Sequence, residues 1–182
     1  MSEYKFNTSC IHSGYKAESG KPQVLPIVQN TTYRYYDAED VAKLFDLESA
    51  DFMYTRLGSP TVNALEEKMA ALEGGTAGIA TSAGQAANLI TMLNICEAGD
   101  HIIACGNIYG GTFNLFNVTL RKMGIETTFI DYNLSKEEIV AQAKPNTKAI
   151  FGESLGNPAL TVLDIEKFAE AAGEVGVPLV VD

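Results

Sequence analysis

Apolar residues along the chain recur with two different periods, one typical of helices and one typical of buried strands. Ser59 and Pro60 have the residue types of a helix N-cap and first helical position, and Gly74 with Gly75 ends the same stretch. The apolar residues between these ends are Val62, Leu65, Met69 and Leu72. Their spacing of three and four predicts an amphipathic helix.

Short apolar and β-branched runs alternate with helical patterns after this helix. The predicted strands are 76–81, 101–105, 125–130, 147–153 and 177–181. The predicted helices between them are 85–96, 112–123, 135–143 and 164–175, and the capping box Ser135–Glu138 marks the start of the third. Strands that alternate with helices predict an α/β fold with a parallel sheet.

The first part of the chain lacks this alternation of strands and helices. The charge of the whole chain argues against some classes of binding partner. Residues 1–50 are irregular apart from an amphipathic stretch at 37–48, so an arm is expected there. The net charge is -10 and the basic residues form no stripe, so we expect neither nucleic acid nor an anionic membrane surface as a partner. The start resembles no signal peptide and no run of about 18 apolar residues occurs, so we expect a cytoplasmic protein.

Cysteine, histidine and serine patterns argue against several classes of site. Cys10, Cys96 and Cys105 have no C-x-x-C spacing, so buried thiols are expected rather than a disulfide framework or a zinc site. The two histidines, His12 and His101, offer little for a metal centre or a catalytic triad, and His101 is expected to be structural. We therefore expect no metal, and the absence of G-x-S-x-G argues against a hydrolase.

Loops that follow parallel strands gather at one edge of an open α/β sheet, where ligands bind. The segment SAGQAA runs into a predicted helix through Gly84 and Gln85, whose backbone N–H groups are suited to an anion. A plain βα turn is the alternative. The segment has neither G-x-G-x-x-G nor G-x-x-x-x-G-K-[ST], which argues against a dinucleotide site and a P-loop.

Five further side chains are candidates for ligand contact. Tyr109 could lie against a flat ligand and exchange a proton, or it could be a half-buried turn residue. Asn157 could bind a hydroxyl or carboxylate, or only form an Asn-Pro turn. Asp182 could pair with a ligand cation or cap a following helix. Arg56, with Tyr54 beside it, could bind a phosphate or be an ordinary exposed arginine.

Seven segments, in this order and spacing, resemble the Cys/Met-metabolism family of pyridoxal-phosphate (PLP) enzymes over nearly the whole chain. They are FNTSCIHSGY, YTRLGSPT, LEGG, SAGQAA, YGGT, ESLGNP and PLVVD. The resemblance implies the aspartate-aminotransferase-like large domain of PLP fold type I, a three-layer α/β structure with a mostly parallel sheet. It implies an extended arm at residues 1–58 that contacts the neighbouring active site, and the first part of the PLP-binding large domain at 59–182.

The resemblance implies PLP as cofactor and assigns residues to its phosphate. Backbone N–H groups of Gly84 and Gln85 would bind the phosphate, and Ser82 belongs to the same cofactor-binding set. Tyr54 and Arg56 would reach the phosphate in the partner subunit. The active site would therefore require a homodimer, assembled further into a homotetramer.

The resemblance also assigns residues to the cofactor ring. Tyr109 would stack on the pyridine ring, and Asn157 would contact the ring hydroxyl and the substrate region. Asp182 would pair with the ring nitrogen and keep it protonated, so that the ring withdraws electrons from the substrate. Tyr109 and Tyr54 would be the catalytic residues, which activate the leaving group by hydrogen bonding.

Gln85 in SAGQAA and Gly156 in ESLGNP resemble the O-acetylhomoserine sulfhydrylase branch of the family. The implied reaction is a γ-replacement, in which sulfide or methanethiol displaces acetate from O-acetyl-L-homoserine and gives homocysteine or methionine. A C–S lyase and a cystathionine γ-synthase-like enzyme are alternatives within the family. A noncatalytic binding module is the alternative from another class.

One required residue has no counterpart in the chain. Family members hold PLP as a Schiff base on a lysine beyond the position of Asp182, and the lysines of this chain fall on predicted helices, before a strand or in the arm. We therefore expect the chain to be the N-terminal part of a longer enzyme, and to be inactive alone.

Overall fold

The computed structural model describes residues 4–182 and separates between residues 80 and 81 into two units. The predicted boundary between the arm and the large domain at residue 58 lies inside the first unit and stays a prediction. No helix within residues 4–182 is long and apolar enough to cross a membrane.

The first unit contains three helices within its described residues. They are α1 (Phe6–His12), α2 (Ala38–Phe45) and α3 (Pro60–Glu73). The ends of α3 confirm the prediction, because Ser59 is at the N-cap position and Gly74 has the left-handed φ of 67°. The Ser59 side chain, however, accepts no cap hydrogen bond; its backbone N–H instead donates to Asn63 Oδ1 over 3.3 Å.

Two predictions for the first 81 residues are wrong. The helix α1 was not predicted, because Phe6–His12 has no marked amphipathic spacing. The strand predicted at 76–81 does not form, and Ile79 is 86% exposed. Short apolar runs become strands only where a neighbour completes the hydrogen-bond ladder, and no described segment pairs with this one.

The second unit is a parallel sheet with helices in the connections, as predicted. Its strands are β1 (His101–Cys105), β2 (Glu126–Ile130), β3 (Thr147–Gly152) and β4 (Leu179–Val181), in the spatial order β2-β1-β3-β4. Its helices are α4 (Gly84–Ile95), α5 (Gly110–Asn114), a π-helical segment (Leu115–Leu120), α6 (Lys136–Val140) and α7 (Ile165–Val175). The predicted helix at 112–123 is therefore α5 followed by a π-helical segment.

The core of the second unit is apolar and tightly packed around β1 and β3. Ile102, Ile103 and Phe151 are fully buried, and Phe116 packs edge-on against Phe151 with ring centroids 4.8 Å apart. Removing such side chains from water supplies most of the driving force for the fold. The central strands β1 and β3 are buried along nearly their whole length, which is typical of apolar runs in a parallel sheet with both faces covered.

The cysteines differ from the expectation at one position. Cys96 and Cys105 are buried free thiols, as predicted, and burial raises the pKa of Cys96 to about 11 and of Cys105 to about 12. Cys10 is exposed, so the prediction of a buried thiol is wrong there. Cys10 lies in α1, a helix that the apolar pattern did not predict, so the pattern could not indicate that Cys10 is on its exposed side.

His101 has the structural role that was predicted. The ring is fully buried at the start of β1, and its two nitrogens hydrogen bond to the hydroxyls of Thr147 and Thr128, each over 2.8 Å. Because Thr128 is in β2 and Thr147 in β3, one ring connects three strands. Burial, with a smaller effect of Lys144, lowers the pKa of His101 below its ordinary value, which favours the neutral ring.

Candidate functional site

The loops at the carboxyl ends of the strands and the N-terminus of α4 surround a cavity of about 470 Å³ in the second unit. The lining residues are Gly84, Gln85, Tyr109, Glu153, Ser154, Leu155, Asn157 and Asp182. This is the edge at which open parallel sheets bind ligands. A larger cavity of about 680 Å³ in the first unit is lined by none of the predicted site residues that the structure describes.

The N-terminus of α4 leaves hydrogen-bond donors free at this cavity. Ala83 occupies the N-cap position with an extended backbone, and no side chain caps the helix. The N–H groups of Ala86 and Ala87 donate to Ala83 O, whereas no acceptor within residues 4–182 binds the N–H groups of Gly84 and Gln85. Two free N–H groups at the positive end of a twelve-residue helix form a site for an anion.

The side chain of Gln85 is itself fixed. Its Nε2 donates to the hydroxyl of Thr112 over 2.8 Å, and Thr112 is fully buried in α5. The amide of Gln85 therefore connects the start of α4 to α5, and the backbone N–H of Gln85 remains for a ligand.

Tyr109 precedes α5, and its side chain is 48% exposed at the cavity. The ring lies over Gly111, where an added Cβ would be 2.4 Å from Tyr109 Cε1. Glycine at position 111 is therefore required for this ring position. The backbone N–H of Tyr109 donates to Glu153 Oε1 over 2.7 Å, which fixes the base of the side chain.

Asn157 lies on the loop after β3, with an exposed side chain next to the cavity. Its backbone N–H donates to Glu153 Oε2 over 3.3 Å. Glu153 is thus bonded to both loops, although its side chain was not among the predicted site residues. The available signal was a carboxylate directly after a buried strand, inside the segment ESLGNP.

Asp182 is held by both its backbone and its side chain. Its N–H donates to Gly152 O over 3.0 Å, and its carbonyl oxygen accepts the N–H of Ser154 over 2.8 Å, which extends the pairing of β3 with β4. Asp182 Oδ2 accepts a hydrogen bond from Asn88 Nδ2 over 2.8 Å. No donor within the described part of the chain binds Oδ1, so one carboxylate oxygen remains available to a ligand.

Asn88 is the second site residue that the sequence did not reveal. It is 7% exposed on α4, one helical turn after Gly84. An amide between the apolar residues Ala87 and Leu89 of this helix was the available signal, since buried polar groups almost always have a partner.

Three predicted site residues do not line this cavity. Tyr54 and Arg56 belong to the first unit, where Arg56 Cζ lies 5.1 Å from the centroid of the Tyr54 ring. The segment that carries them pairs with residues 31–33, and Thr55 N–H donates to Thr31 O over 2.9 Å. Ser82 is exposed two residues before α4. Their proposed roles at the cofactor stay predictions.

The residues around the cavity fit PLP. The free N–H groups of Gly84 and Gln85 suit its phosphate, and the free oxygen of Asp182 suits the protonated nitrogen of its ring. The exposed ring of Tyr109 offers a flat apolar surface, and Asn157 offers an amide for a hydroxyl. None of the residues that line the cavity is a lysine.

The chain is similar to known PLP-dependent enzymes over nearly its whole length. Residues 7–182 match the model of the family described as Cys/Met metabolism PLP-dependent enzyme. O-acetyl-L-homoserine sulfhydrylase 1 from Thermus thermophilus is 42% identical over 98% of this chain and 42% of its own length. The chain therefore spans about two fifths of the length of this curated relative.

Solved structures agree with this match. A protein assigned as O-acetylhomoserine (thiol)-lyase from Campylobacter jejuni, which carries N'-pyridoxyl-lysine-5'-monophosphate, has a TM-score of 0.91 and 33% identity over 99% of this chain and 44% of its own. Cystathionine γ-lyase from Lactobacillus plantarum, in complex with L-serine, has a TM-score of 0.85 and 32% identity over 98% of this chain and 44% of its own. These neighbours confirm the predicted PLP fold type I.

Proposed function

Because the chain belongs to the Cys/Met metabolism family of PLP-dependent enzymes, we propose that it provides the cofactor cavity of an O-acetyl-L-homoserine sulfhydrylase. In this reaction sulfide or a thiol replaces acetate at Cγ, and homocysteine or methionine is formed. The observation that carries the proposal is the cavity itself. An uncapped helix N-terminus, an exposed tyrosine and a carboxylate with one oxygen free of hydrogen bonds all lie on its lining.

Bound PLP supplies an electron-withdrawing pyridinium ring that stabilises negative charge at the α-carbon of the substrate. The residues of this chain bind and orient it. Gly84 and Gln85 would donate backbone hydrogen bonds to the phosphate, and Asp182 would accept one from the ring nitrogen with its free oxygen Oδ1. Asn88 holds the other oxygen of Asp182 and so fixes the plane of the carboxylate.

Tyr109 and Asn157 form the side of the cavity on which the substrate is expected to react. The ring of Tyr109 would pack on the cofactor, and its hydroxyl would donate a hydrogen bond to the departing acetate, where negative charge develops. Asn157 donates from its side-chain amide to the ring hydroxyl. These roles are supported by the positions of both residues on the lining of one cavity.

Tyr54, Arg56 and Ser82 complete the proposed phosphate site. Arg56 is exposed and is oriented by the ring of Tyr54, which leaves its guanidinium free to bind a phosphate bidentately. We propose that the pair acts on the cofactor of a second copy in a homodimer, assembled further into a homotetramer. The hydroxyl of Ser82 precedes the free N–H groups of α4 and contributes to the same phosphate.

The test is an assay of the protein encoded by the complete reading frame. With PLP, it should convert O-acetyl-L-homoserine and sulfide to homocysteine, and methionine or cystathionine should be poor substrates. Turnover only with methionine or cystathionine would contradict the proposal and support a C–S lyase, which the similarity to the Lactobacillus plantarum enzyme favours.

The 182-residue chain alone is a separate case. Since no lysine lines the cavity, we propose that this chain binds PLP without catalysing the replacement. Measurable homocysteine formation by the purified 182-residue chain would contradict this statement.

A further inference from the structure

Glu153 is a buried carboxylate whose two oxygens bind two different loops. It lies directly after β3 and is 8% exposed. Oε1 accepts the N–H of Tyr109 over 2.7 Å, and Oε2 accepts the N–H of Asn157 over 3.3 Å. One side chain therefore connects the loop after β1 to the loop after β3.

The two loops are in close contact around this carboxylate. An added Cβ at Gly156 would lie 2.7 Å from Asn107 O, so only glycine allows this approach of the two backbones. The side-chain amide of Asn107 also donates to the hydroxyl of Thr161. The loops that carry Tyr109 and Asn157 thus pack against each other, and Glu153 hydrogen bonds to both.

The charge of Glu153 is balanced by backbone groups alone. No lysine, arginine or histidine within residues 4–182 forms an ion pair with it. A carboxylate is the side chain that accepts hydrogen bonds at both ends, and its bonds to N–H groups are stronger than those of a neutral amide.

We propose that Glu153 is a positioning residue that holds Tyr109 and Asn157 in place at the cofactor cavity. The inference rests on the proposed function, because it assigns these two residues to the cofactor. Glu153 acts through their backbone N–H groups and sets where the tyrosine ring and the asparagine amide project. A purely structural role would stabilise the whole unit without a specific effect at these two positions.

The test compares Glu153→Gln with Glu138→Gln in the protein encoded by the complete reading frame. The first variant keeps the size of the side chain but turns an NH2 group toward one of the two N–H donors. Glu138 is a matched control, because its Oε2 also accepts a backbone N–H, that of Ser135 over 2.8 Å, but it does not line the cavity.

The first readout is residue-resolved amide hydrogen exchange of the protein without PLP. In Glu153→Gln the amide that faces the new NH2 group, that of Tyr109 or that of Asn157, should exchange about tenfold faster, while those of Ile150 and Phe151 in β3 stay unchanged. The second readout is PLP binding. We expect the dissociation constant to increase about tenfold and the visible circular dichroism of the bound cofactor to change. Glu138→Gln should change neither.

Unchanged exchange at both amides, or equal acceleration throughout β3, would overturn the inference. If Glu153→Gln does not fold, Glu153→Asp serves in its place, because it keeps the charge but is too short to keep both bonds. A wild-type protein that bound no PLP would contradict the proposed function, and the exchange rates would still decide whether Glu153 bridges the loops.

Discussion

At the amino ends of β1 and β3, the ring of His101 is buried and both its nitrogens are hydrogen bonded to threonines. At the carboxyl ends of the same strands, the N–H groups of Gly84 and Gln85 and one oxygen of Asp182 have no partner within residues 4–182. The first arrangement stabilises the sheet, since buried polar groups are costly without partners. The second leaves binding capacity for a ligand, so substitutions at the two ends should have different consequences.

The largest effect is expected for Asp182→Asn, which keeps the shape but removes the charge. In the proposed pairing, a ring nitrogen of PLP without a carboxylate partner would lose its proton, and kcat should fall by about a hundred- to thousandfold. The measurement is steady-state kinetics of the protein encoded by the complete reading frame. Asp164→Asn is the control, because Asp164 caps α7 outside the cavity; equal losses in both variants would contradict the assignment.

At the opposite end of the sheet, His101→Ala should destabilise the protein with little loss of activity per folded molecule. It removes a buried ring and two hydrogen bonds, which costs about 2–4 kcal/mol of the free energy of unfolding. Chemical denaturation and kinetics at saturating PLP check the two parts. A normal unfolding transition combined with reduced kcat would contradict the assignment of a stabilising role to the amino ends of the strands and of a binding role to their carboxyl ends.

The pH dependence of stability sharpens this part of the comparison. Burial lowers the pKa of His101 in the folded state below its ordinary value of about 6.5, aided by Lys144 and opposed by Glu126. As the pH falls, the unfolded chain therefore binds the proton at a higher pH than the folded protein. The free energy of unfolding should decrease below a pH of about 6.5 and level off once the pH is below the pKa of His101 in the folded state. Denaturation of wild type and His101→Gln at several pH values should show a shallower decrease in the variant.

At the cavity, Gly111→Ala should displace the ring of Tyr109, because the added Cβ would lie 2.4 Å from Tyr109 Cε1. A displacement of this size at a reacting group lowers activity by about a hundredfold. Gly110→Ala is a matched control, since an added Cβ there meets nothing within 4 Å. If both alanine variants have the same kcat, the ring position of Tyr109 does not determine activity.

The smallest effect is expected for Asn88→Ala, which removes the donor to Asp182 Oδ2. Loss of one hydrogen bond to a charged group should weaken PLP binding by about tenfold. Titration of the protein without cofactor with PLP measures this. An unchanged dissociation constant would mean that the backbone bonds of Asp182 are sufficient to orient its carboxylate.

Local sequence signals predicted most of the fold but not the elements that depend on neighbours. The helix α3, the capping box of α6 and the strand β1 were predicted from residue types at their ends and from apolar spacing. The run 76–81 has the same kind of composition, yet it forms no strand, because a strand also needs a partner. The π-helical segment after α5 likewise has no signal in apolar spacing.

The residues around the cavity were partly visible in the sequence. Gly84, Gln85, Tyr109, Asn157 and Asp182 follow predicted strands or begin a predicted helix, and parallel topology alone places such residues at one edge. Glu153 and Asn88 were missed because their importance depends on the backbone N–H groups and the carboxylate they contact. Of these partners, Tyr109 lies 44 positions from Glu153 and Asp182 lies 94 positions from Asn88, although Asn157 is only 4 positions from Glu153.

The sequence by itself determined the alternation of strands and helices from α4 to β4, the edge of the sheet at which ligands bind and the family to which the chain belongs. These depend on spacing, caps and short motifs, which are local properties. Only the tertiary structure decided which donors and acceptors remain free and which are used internally. The physical reason is that hydrogen bonds form between atoms brought together by packing, and a polar residue type alone does not indicate whether its partner is protein or ligand.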